Sequence, residues 1–210
     1  MIALLTSGSR NFMKILLATK NKHKLTEIRA IYKDIAKIEW LTSTEKPFTP
    51  AIEDGATFRE NALKKAHSAC KETGLIVLAE DSGLEIDALK GQPGIFSARF
   101  AGDPANDQKN NEKVLDLLKR EPNRKARFHC AAVLVLPDGR EFFSEGTLEG
   151  RIATEPRGKF GFGYDPLFIP NGFSKTTAEL GPELKDRMSH RRRALEGLKA
   201  TLQTLASETK

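Results

Sequence analysis

Short apolar segments alternate with segments of helical periodicity along this chain, and this alternation limits the fold more than any other feature. Lys14–Thr19 has the pattern of a strand. Apolar residues then follow at helical spacing, at Leu25, Ile28, Ile31, Tyr32 and Ile35. A second helix is predicted to begin at the T-x-x-E capping box of Thr57–Glu60 and to end near Gly74. Leu75–Ala79 then reads as a buried strand, so the order of elements predicts an α/β fold.

Strand and helix signals continue beyond this point. Glu80–Gly83 is expected to end the buried strand, and the alternation of Leu84–Leu89 is typical of a further strand. Asp103-Pro104 supplies an N-cap and a proline at the first helical position, which predicts a helix through Leu118.

The last third of the chain begins with a hairpin pattern. Phe128–Leu136 and Glu141–Leu148 flank the turn Pro137-Asp138-Gly139. Gly158–Pro166 reads as a loop, and a final helix is expected to be capped by Ser189. We therefore predict one α/β domain with a mixed β-sheet flanked by helices on both sides.

Composition excludes several classes of protein. The chain has 210 residues, 39% of them hydrophobic and 30% charged, and a net charge of +6 from 34 basic and 28 acidic residues. These values exclude collagen, a coiled coil and wholesale disorder. The apolar runs are far shorter than the roughly 20 residues that a membrane span needs. Cys70 and Cys130 have neither metal-ligand spacing nor disulfide density, which favours a reducing cytoplasm.

The first twelve residues differ from the rest. Met1–Phe12 begins with a short apolar run but lacks the basic n-region of a signal peptide. Met13 stands directly before the first strand and is an alternative candidate for the start of translation. We therefore expect a domain over residues 13–210 and an extension outside the fold over residues 1–12.

A basic turn between the first strand and helix is the first candidate site. It contains Thr19, Lys20, Asn21, Lys22, His23 and Lys24. Free N–H groups at a helix start and three lysines favour a polyphosphate. The alternative is a solvated basic turn. The segment is not a P-loop, because no G-x-x-x-x-G-K-[ST] occurs.

Acidic residues form the second candidate. Glu80-Asp81-Ser82-Gly83 follows a buried strand, and Glu53-Asp54 lies upstream. Ligands of α/β proteins bind at the carboxyl ends of the strands. One or two carboxylates together with substrate phosphates suit Mg²⁺, and a further carboxylate could deprotonate a water. The alternative is an Asp-Ser-Gly turn without function.

Two later segments are weaker candidates. Gly161–Pro166 combines glycines, which allow close backbone approach, with aromatic rings that could stack on a base. Lys185–Arg193 holds five basic residues and one acid near the start of the last helix, where cations oppose the helix dipole and so favour an anionic partner. The alternatives are a surface loop and a solvated or nonspecific nucleic-acid-binding face.

Together, these segments resemble the inosine/xanthosine triphosphate pyrophosphatase family from about Lys14 to Leu205. The matching motifs are A-T-x-N-x-x-K at Ala18–Lys24, E-D-G-x-T-F-x-E-N-A at Glu53–Ala62, D-S-G-L at Asp81–Leu84, P-G-I-F-S-A-R-F at Pro93–Phe100, F-G-Y-D-P at Phe162–Pro166 and S-H-R-x-x-A-L at Ser189–Leu195. Lys20 departs from the family pattern, which has glycine or another small residue there.

The resemblance implies a long mixed sheet bearing two lobes, with the substrate in a central cleft. It implies a Mg²⁺-dependent homodimer that hydrolyses ITP, dITP and XTP to the monophosphate and pyrophosphate.

The resemblance also implies roles for particular residues. Glu53 and Asp81 would serve the metal, with Asp81 as the proton acceptor for the attacking water. The expected substrate contacts are Thr19, Lys20, Asn21, Lys22, His23, Lys24, Ser82, Phe162, Gly163, Tyr164, Asp165, Lys185, His190 and Arg191. Whether Glu53 or Asp54 reaches the metal is left open.

Two other functions compete with this one. A related pyrophosphatase could act on modified pyrimidine or methylated nucleotides. A nucleic-acid-binding module could use Lys20–Lys24 and Lys185–Arg193, but aromatic residues make up only 7% of the chain and do not interleave with these basic runs. We therefore expect a small-molecule substrate, with neither nucleic acid nor membrane as a partner.

Overall fold

A single mixed β-sheet organises the protein. The computed structural model describes residues 12–208, so the extension expected at residues 1–12 lies outside the described residues except for Phe12. The strands are β1 (Met13–Leu17), β2 (Ile38–Leu41), β3 (Ile76–Ile86), β4 (Lys125–Val135), β5 (Glu141–Ile152) and β6 (Phe168–Pro170). Their order in the sheet is β2-β1-β3-β4-β5-β6. The first three are parallel to one another, and β4, β5 and β6 pair antiparallel. The predicted mixed sheet is therefore confirmed.

Helices cover both faces of this sheet. They are α1 (Lys22–Ile31), α2 (Phe58–Thr73), α3 (Asp107–Leu117), α4 (Thr177–Leu180), α5 (Pro182–Met188) and α6 (His190–Glu208), and two 3₁₀ segments span Asp87–Leu89 and Gly94–Arg99. Buried residues of α1 and α6 pack on one face, and the alanine-rich side of α2 packs on the other. None of the helices within residues 12–208 combines the length and apolar composition needed to cross a bilayer.

Strand β3 differs from the sequence prediction at the acidic segment Glu80–Gly83. Glu80–Gly83 does not end the strand, because β3 runs without interruption from Ile76 to Ile86. The cause is β4, which pairs with β3 over its full length, from Val77 opposite Val135 to Ile86 opposite Ala126. The parallel neighbour β1 stops earlier, opposite Leu78. Glu80 and Asp81 therefore lie within β3 but just beyond the carboxyl end of β1.

The long strands carry a second core beyond this point. Their distal halves pack against α3 and against the segment Tyr164–Phe168. Gly83 allows the close approach of the 3₁₀ segment Gly94–Arg99, because a Cβ at Gly83 would lie 2.3 Å from the Ser97 hydroxyl. The sheet thus bears two lobes, with a cleft between them.

The ends of the helices follow the sequence with two differences. Thr57 caps α2 by accepting from the backbone N–H of Glu60, but the Glu60 carboxylate reaches the N–H of Ala56 rather than that of Thr57. The helix predicted from Asp103-Pro104 begins later, because the Asn106 side chain accepts from Lys109 N–H and forms the cap. Ser189 precedes α6 and accepts from Arg192 N–H, as expected.

Candidate active site

The cleft between the two lobes has a volume of about 430 Å³. It collects most of the residues that the sequence singled out. The predicted site residues that line it are Thr19, Lys20, Asn21, Lys24, Glu53, Asp81, Ser82, Phe162, Gly163, Tyr164, Asp165, Lys185, His190 and Arg191. Lys22 and His23 do not line the cleft, although the ring of His23 stacks on that of Phe162 at 5.0 Å.

The basic turn is shaped by hydrogen bonds of its own side chains. Asn21 caps α1, because its side-chain oxygen accepts from the backbone N–H groups of His23 and Lys24. The Thr19 hydroxyl accepts from Asn21 N–H. Lys20 is not among the non-glycine residues with positive φ, so the lysine is accommodated without backbone strain. The turn thus presents Lys20 and the start of α1 to the cleft.

An acidic centre lies on the α2 face of β3. The centre contains the carboxylates of Asp81 and Glu53. The Lys65 ammonium forms ion pairs with both, at 3.0 Å from Asp81 Oδ1 and 3.0 Å from Glu53 Oε2. Asn61, one helical turn before Lys65, donates to Asp81 Oδ2 at 3.3 Å. Asp54 pairs instead with the partly exposed Lys64 and does not line the cleft. The geometry therefore favours Glu53 over Asp54 as the second acid of the site.

The protonation of this centre is set by burial and by Lys65. Burial raises the pKa of Asp81 above its ordinary value, against the opposing effect of the nearby Lys65 and Lys24. Burial alone would lower the pKa of Lys65, but Asp81 and Glu53 raise it, so the ammonium stays charged. A carboxylate whose basicity is increased in a cleft is suited to accept a proton.

A divalent metal would find a partial set of ligands here. Glu53 and Asp81 converge on the same ammonium group, so their oxygens face a common space. No group of three or more metal-ligating side chains occurs within residues 12–208. Two carboxylates without further protein ligands fit a hard cation that completes its shell with water and substrate phosphate oxygens. These residues therefore fit Mg²⁺ bound together with a phosphorylated substrate.

Glu80 forms a second, deeper charge cluster on the opposite face of β3. It is 2% exposed. Its Oε1 lies 2.9 Å from the Lys24 ammonium and 3.3 Å from Arg191 Nε. Burial alone would raise the pKa of Glu80, but Arg191 and Lys24 hold it far below its ordinary value. The Arg191 guanidinium, 1% exposed, also donates to the Ser82 hydroxyl and to Glu27.

The same network reaches the loop Gly161–Asp165. The Lys185 ammonium lies 2.6 Å from Asp165 Oδ2 and 3.2 Å from Glu27 Oε1. Asp165 Oδ2 also accepts from Phe162 N–H, which fixes the start of the loop. The ring of Phe162 lies 4.6 Å from the Lys185 ammonium and is flanked by His23. An aromatic face is therefore held beside fixed cationic donors.

His190, unlike Lys185 and Arg191, is uncharged. It is buried, its ring stacks on Phe128 at 4.8 Å, and its Nδ1 has no hydrogen-bond partner within the described residues. Burial lowers its pKa well below 6.5, and the charges of Arg191 and Lys185 lower it further. The imidazole is therefore neutral at physiological pH and presents one donor and one acceptor nitrogen.

This protonation state predicts a pH dependence of stability. Below about pH 6.5 the histidine of the unfolded chain takes up a proton that native His190 does not, so the unfolded state gains protons and stability falls. The contribution of His190 to the free energy of unfolding then falls by about 1.4 kcal/mol for each unit that the pH is lowered. In urea denaturation from pH 7.5 to 5.0, the free energy of unfolding should fall more steeply in the wild type than in His190→Gln, and the difference should approach this slope below pH 6.5. Parallel curves for the two proteins would contradict a neutral His190.

Several residues of the site were not assigned by the sequence analysis. Lys65, Asn61 and Glu27 were given no role, and Glu80 was noted only as part of an acidic segment. The sequence does indicate that two of them lie together. Asn61 and Lys65 are four residues apart on α2, so they share one side of the helix, next to its buried alanines. Glu27 carries no such signal, since only the packing of α1 against α6 brings it to Arg191.

The fold and the cleft together define an α/β protein with a candidate anion-binding site that combines a helix start, several lysines and a pair of carboxylates. The sequence profile of the Ham1 family matches residues 15–201. The chain belongs to the Ham1 family.

Curated and solved relatives agree with this assignment. The chain is 48% identical to a dITP/XTP pyrophosphatase of Desulforamulus reducens, covering 88% of this chain and 92% of the relative. It is 44% identical to one of Corynebacterium efficiens, covering 93% and 100%. A HAM1 protein from Coxiella burnetii superposes with a TM-score of 0.85 at 43% identity, over 92% of this chain and 100% of that one. The Staphylococcus aureus Ham1 protein superposes with a TM-score of 0.83 at 39% identity, over 91% and 99%.

Proposed function

We propose that the protein hydrolyses non-canonical purine nucleoside triphosphates, ITP, dITP and XTP, to the monophosphate and pyrophosphate, and so removes them from the nucleotide pool. The observation that carries the proposal is the placement of buried Asp81, with Lys65 and Glu53, in a cleft that also holds the basic turn and the Phe162 loop. Relatives over nearly the whole chain, named dITP/XTP pyrophosphatases, support it.

The triphosphate is bound by the basic turn in this proposal. The substrate carries concentrated negative charge, which the start of α1 and the lysines around it favour. Thr19, Asn21 and Lys24 form the rigid part of this turn, because their backbone and side-chain groups are already hydrogen-bonded to one another. A preformed site of this kind lowers the cost of ordering on binding.

Asp81 is the proposed general base. Its raised pKa favours proton uptake, and its hydrogen bonds to Asn61 and Lys65 fix the direction of its oxygens. In-line attack by water on the α-phosphorus needs a positioned base and charge stabilisation rather than a covalent nucleophile. Glu53 and Asp81 would hold Mg²⁺, which supplies charge neutralisation on the phosphate oxygens when bound.

Discrimination against adenine is assigned to the cluster around Phe162. A 6-keto purine presents an acceptor at position 6, whereas adenine presents an amino group. Lys185, His190 and Arg191 are the proposed donors toward this position. Glu27, Glu80 and Asp165 fix the geometry of Lys185 and Arg191, so a donor of theirs that faces an amino group stays unpaired, which is costly.

The remaining properties proposed are Mg²⁺ dependence and a homodimer, which the resemblance implies, and a cytoplasmic location, which the cysteine usage favours. The rival activity toward modified pyrimidine or methylated nucleotides is less favoured, because the relatives are named dITP/XTP pyrophosphatases. The nucleic-acid-binding alternative is less favoured because Lys185 and Arg191 are buried and paired with acids rather than presented on a surface.

A substrate panel tests the proposal. Pyrophosphate release is measured from ITP, dITP, XTP, ATP, GTP, a modified pyrimidine triphosphate and a methylated purine triphosphate, with Mg²⁺ and with chelator. The proposal expects metal-dependent release from the first three and little from the others. Preferred turnover of the modified pyrimidine or methylated substrate would favour the rival activity, and equal turnover of ATP or GTP would contradict the proposed selectivity.

A further inference from the structure

The cations of the cleft divide into two groups. Those that line it are Lys20, Lys24, Lys65, Arg99, Lys185 and Arg191. Four of them have carboxylate oxygens at 2.6–3.3 Å, from Glu53, Glu80, Asp81 and Asp165. Lys20 and Arg99 form no ion pair with any residue in the range 12–208. An entering polyanion therefore meets these two uncompensated charges, whereas the other four are largely neutralised by the protein.

Arg99 is placed beside the acidic centre. Its Nη2 lies 3.4 Å from the backbone carbonyl oxygen of Glu53, and its guanidinium lies 5.6 Å from the centre of the Phe96 ring. Both partners are uncharged, so neither cancels the positive charge. The side chain is exposed and keeps most of its five N–H donors free for a ligand.

The backbone that carries Arg99 is firmly anchored. The Ser97 hydroxyl accepts from Leu84 N–H at 2.9 Å and donates to the Gly94 carbonyl at 2.6 Å. Asn110 donates to the Ala98 carbonyl at 3.0 Å, and Tyr164 donates to the Ser97 carbonyl at 2.8 Å. These bonds fix the 3₁₀ segment Gly94–Arg99 on the lobe that lies opposite the basic turn.

We infer that Arg99 is a further catalytic residue, which binds the β- and γ-phosphate oxygens of the substrate and stabilises the departing pyrophosphate. This inference rests on the proposed function. Arg99 contacts the Glu53 end of the cleft, whereas the Phe162 loop and Lys185 form the base end, so its ligand is the phosphate tail. A guanidinium binds phosphate oxygens in a bidentate manner, which a lysine cannot reproduce.

The reaction defines where this charge is needed. The water oxygen forms a bond to the α-phosphorus, and its proton passes to Asp81. The bond from the α-phosphorus to the bridging oxygen breaks, and its electron pair leaves on that oxygen as part of pyrophosphate. Donors fixed near the group on which charge increases stabilise the transition state more than the ground state.

Binding and turnover of Arg99 variants test the inference. In chelator, calorimetry with inorganic pyrophosphate and with IMP should show roughly 10–100-fold weaker pyrophosphate binding in Arg99→Ala, the effect of one or two charge-assisted hydrogen bonds. IMP binding should be unchanged. With Mg²⁺ and dITP, kcat/KM should fall about 100-fold. Arg99→Lys, which keeps the charge, should lie between Arg99→Ala and the wild type. Arg120→Ala, which removes an exposed arginine outside the cleft lining, should match the wild type.

Three results would overturn the inference: unchanged pyrophosphate affinity and turnover in Arg99→Ala, an equal loss of IMP and pyrophosphate binding, or no pyrophosphate binding by the wild type. The binding measurement needs no turnover. Failure of the wild type to hydrolyse any purine triphosphate would contradict the proposed function, while a selective loss of pyrophosphate binding would still identify Arg99 as a phosphate ligand.

Discussion

Asp81→Asn should abolish most of the metal-dependent turnover of ITP and dITP while leaving the fold intact. Loss of a general base lowers the rate by about 10²–10⁴-fold. Asparagine keeps the size of the side chain but cannot accept the proton of the attacking water. We expect no loss in the free energy of unfolding, because burial raises the pKa of Asp81 and the native state therefore disfavours the charge that the substitution removes. Pyrophosphate release and urea denaturation measure the two effects.

Asp54→Asn is the matched control for this substitution. Asp54 lies in the same acidic segment as Glu53 but pairs with Lys64 outside the cleft lining. Its turnover should stay close to that of the wild type. Wild-type activity in Asp81→Asn, or an equal loss in Asp54→Asn, would contradict the role assigned to Asp81.

Glu80→Gln should destabilise the protein more than any other substitution considered above. It leaves the buried Arg191 and the half-buried Lys24 without their shared carboxylate, and breaking a buried ion pair costs about 3–5 kcal/mol. The low pKa of Glu80 gives the sign: its charge stabilises the native state at neutral pH, and this contribution is lost as the pH falls below the ordinary range of a glutamate. Urea denaturation at pH 7 measures the change in the free energy of unfolding.

A surface pair provides the comparison. Glu39 lies 3.8 Å from Lys14, and both side chains are about half exposed. Glu39→Gln should change the free energy of unfolding by less than about 1 kcal/mol, as is usual for exposed pairs. A Glu80→Gln protein as stable as Glu39→Gln would show that Arg191 and Lys24 do not depend on Glu80.

The sequence predicted the elements of the fold better than their ends. The mixed sheet, the hairpin and the capped α2 follow from local periodicity, capping residues and turn residues. The continuation of β3 through Glu80–Gly83 does not, because local turn chemistry at Asp-Ser-Gly competes with pairing to a strand some fifty residues away. Tertiary pairing prevails here, and it places Glu80 and Asp81 on opposite faces of the sheet.

The site was predictable where its residues are contiguous. The basic turn and the Phe162 loop are local segments whose motifs predicted a shared site, and residues of both line the cleft. Lys65 and Glu27 were missed because their importance depends on which carboxylate or guanidinium faces them after folding. Long-range charge pairing is not encoded in the spacing of residues along the chain.

Attack of water on the α-phosphorus of non-canonical nucleotides is tested by incubation with equimolar XTP, dITP, ATP and GTP in ¹⁸O-labelled water with Mg²⁺, followed by mass spectrometry of the products. We expect that XTP and dITP are consumed first, that each monophosphate carries one ¹⁸O, and that pyrophosphate carries none, because water attacks the α-phosphorus. Label in pyrophosphate, release of orthophosphate, or equal consumption of all four nucleotides would contradict this expectation.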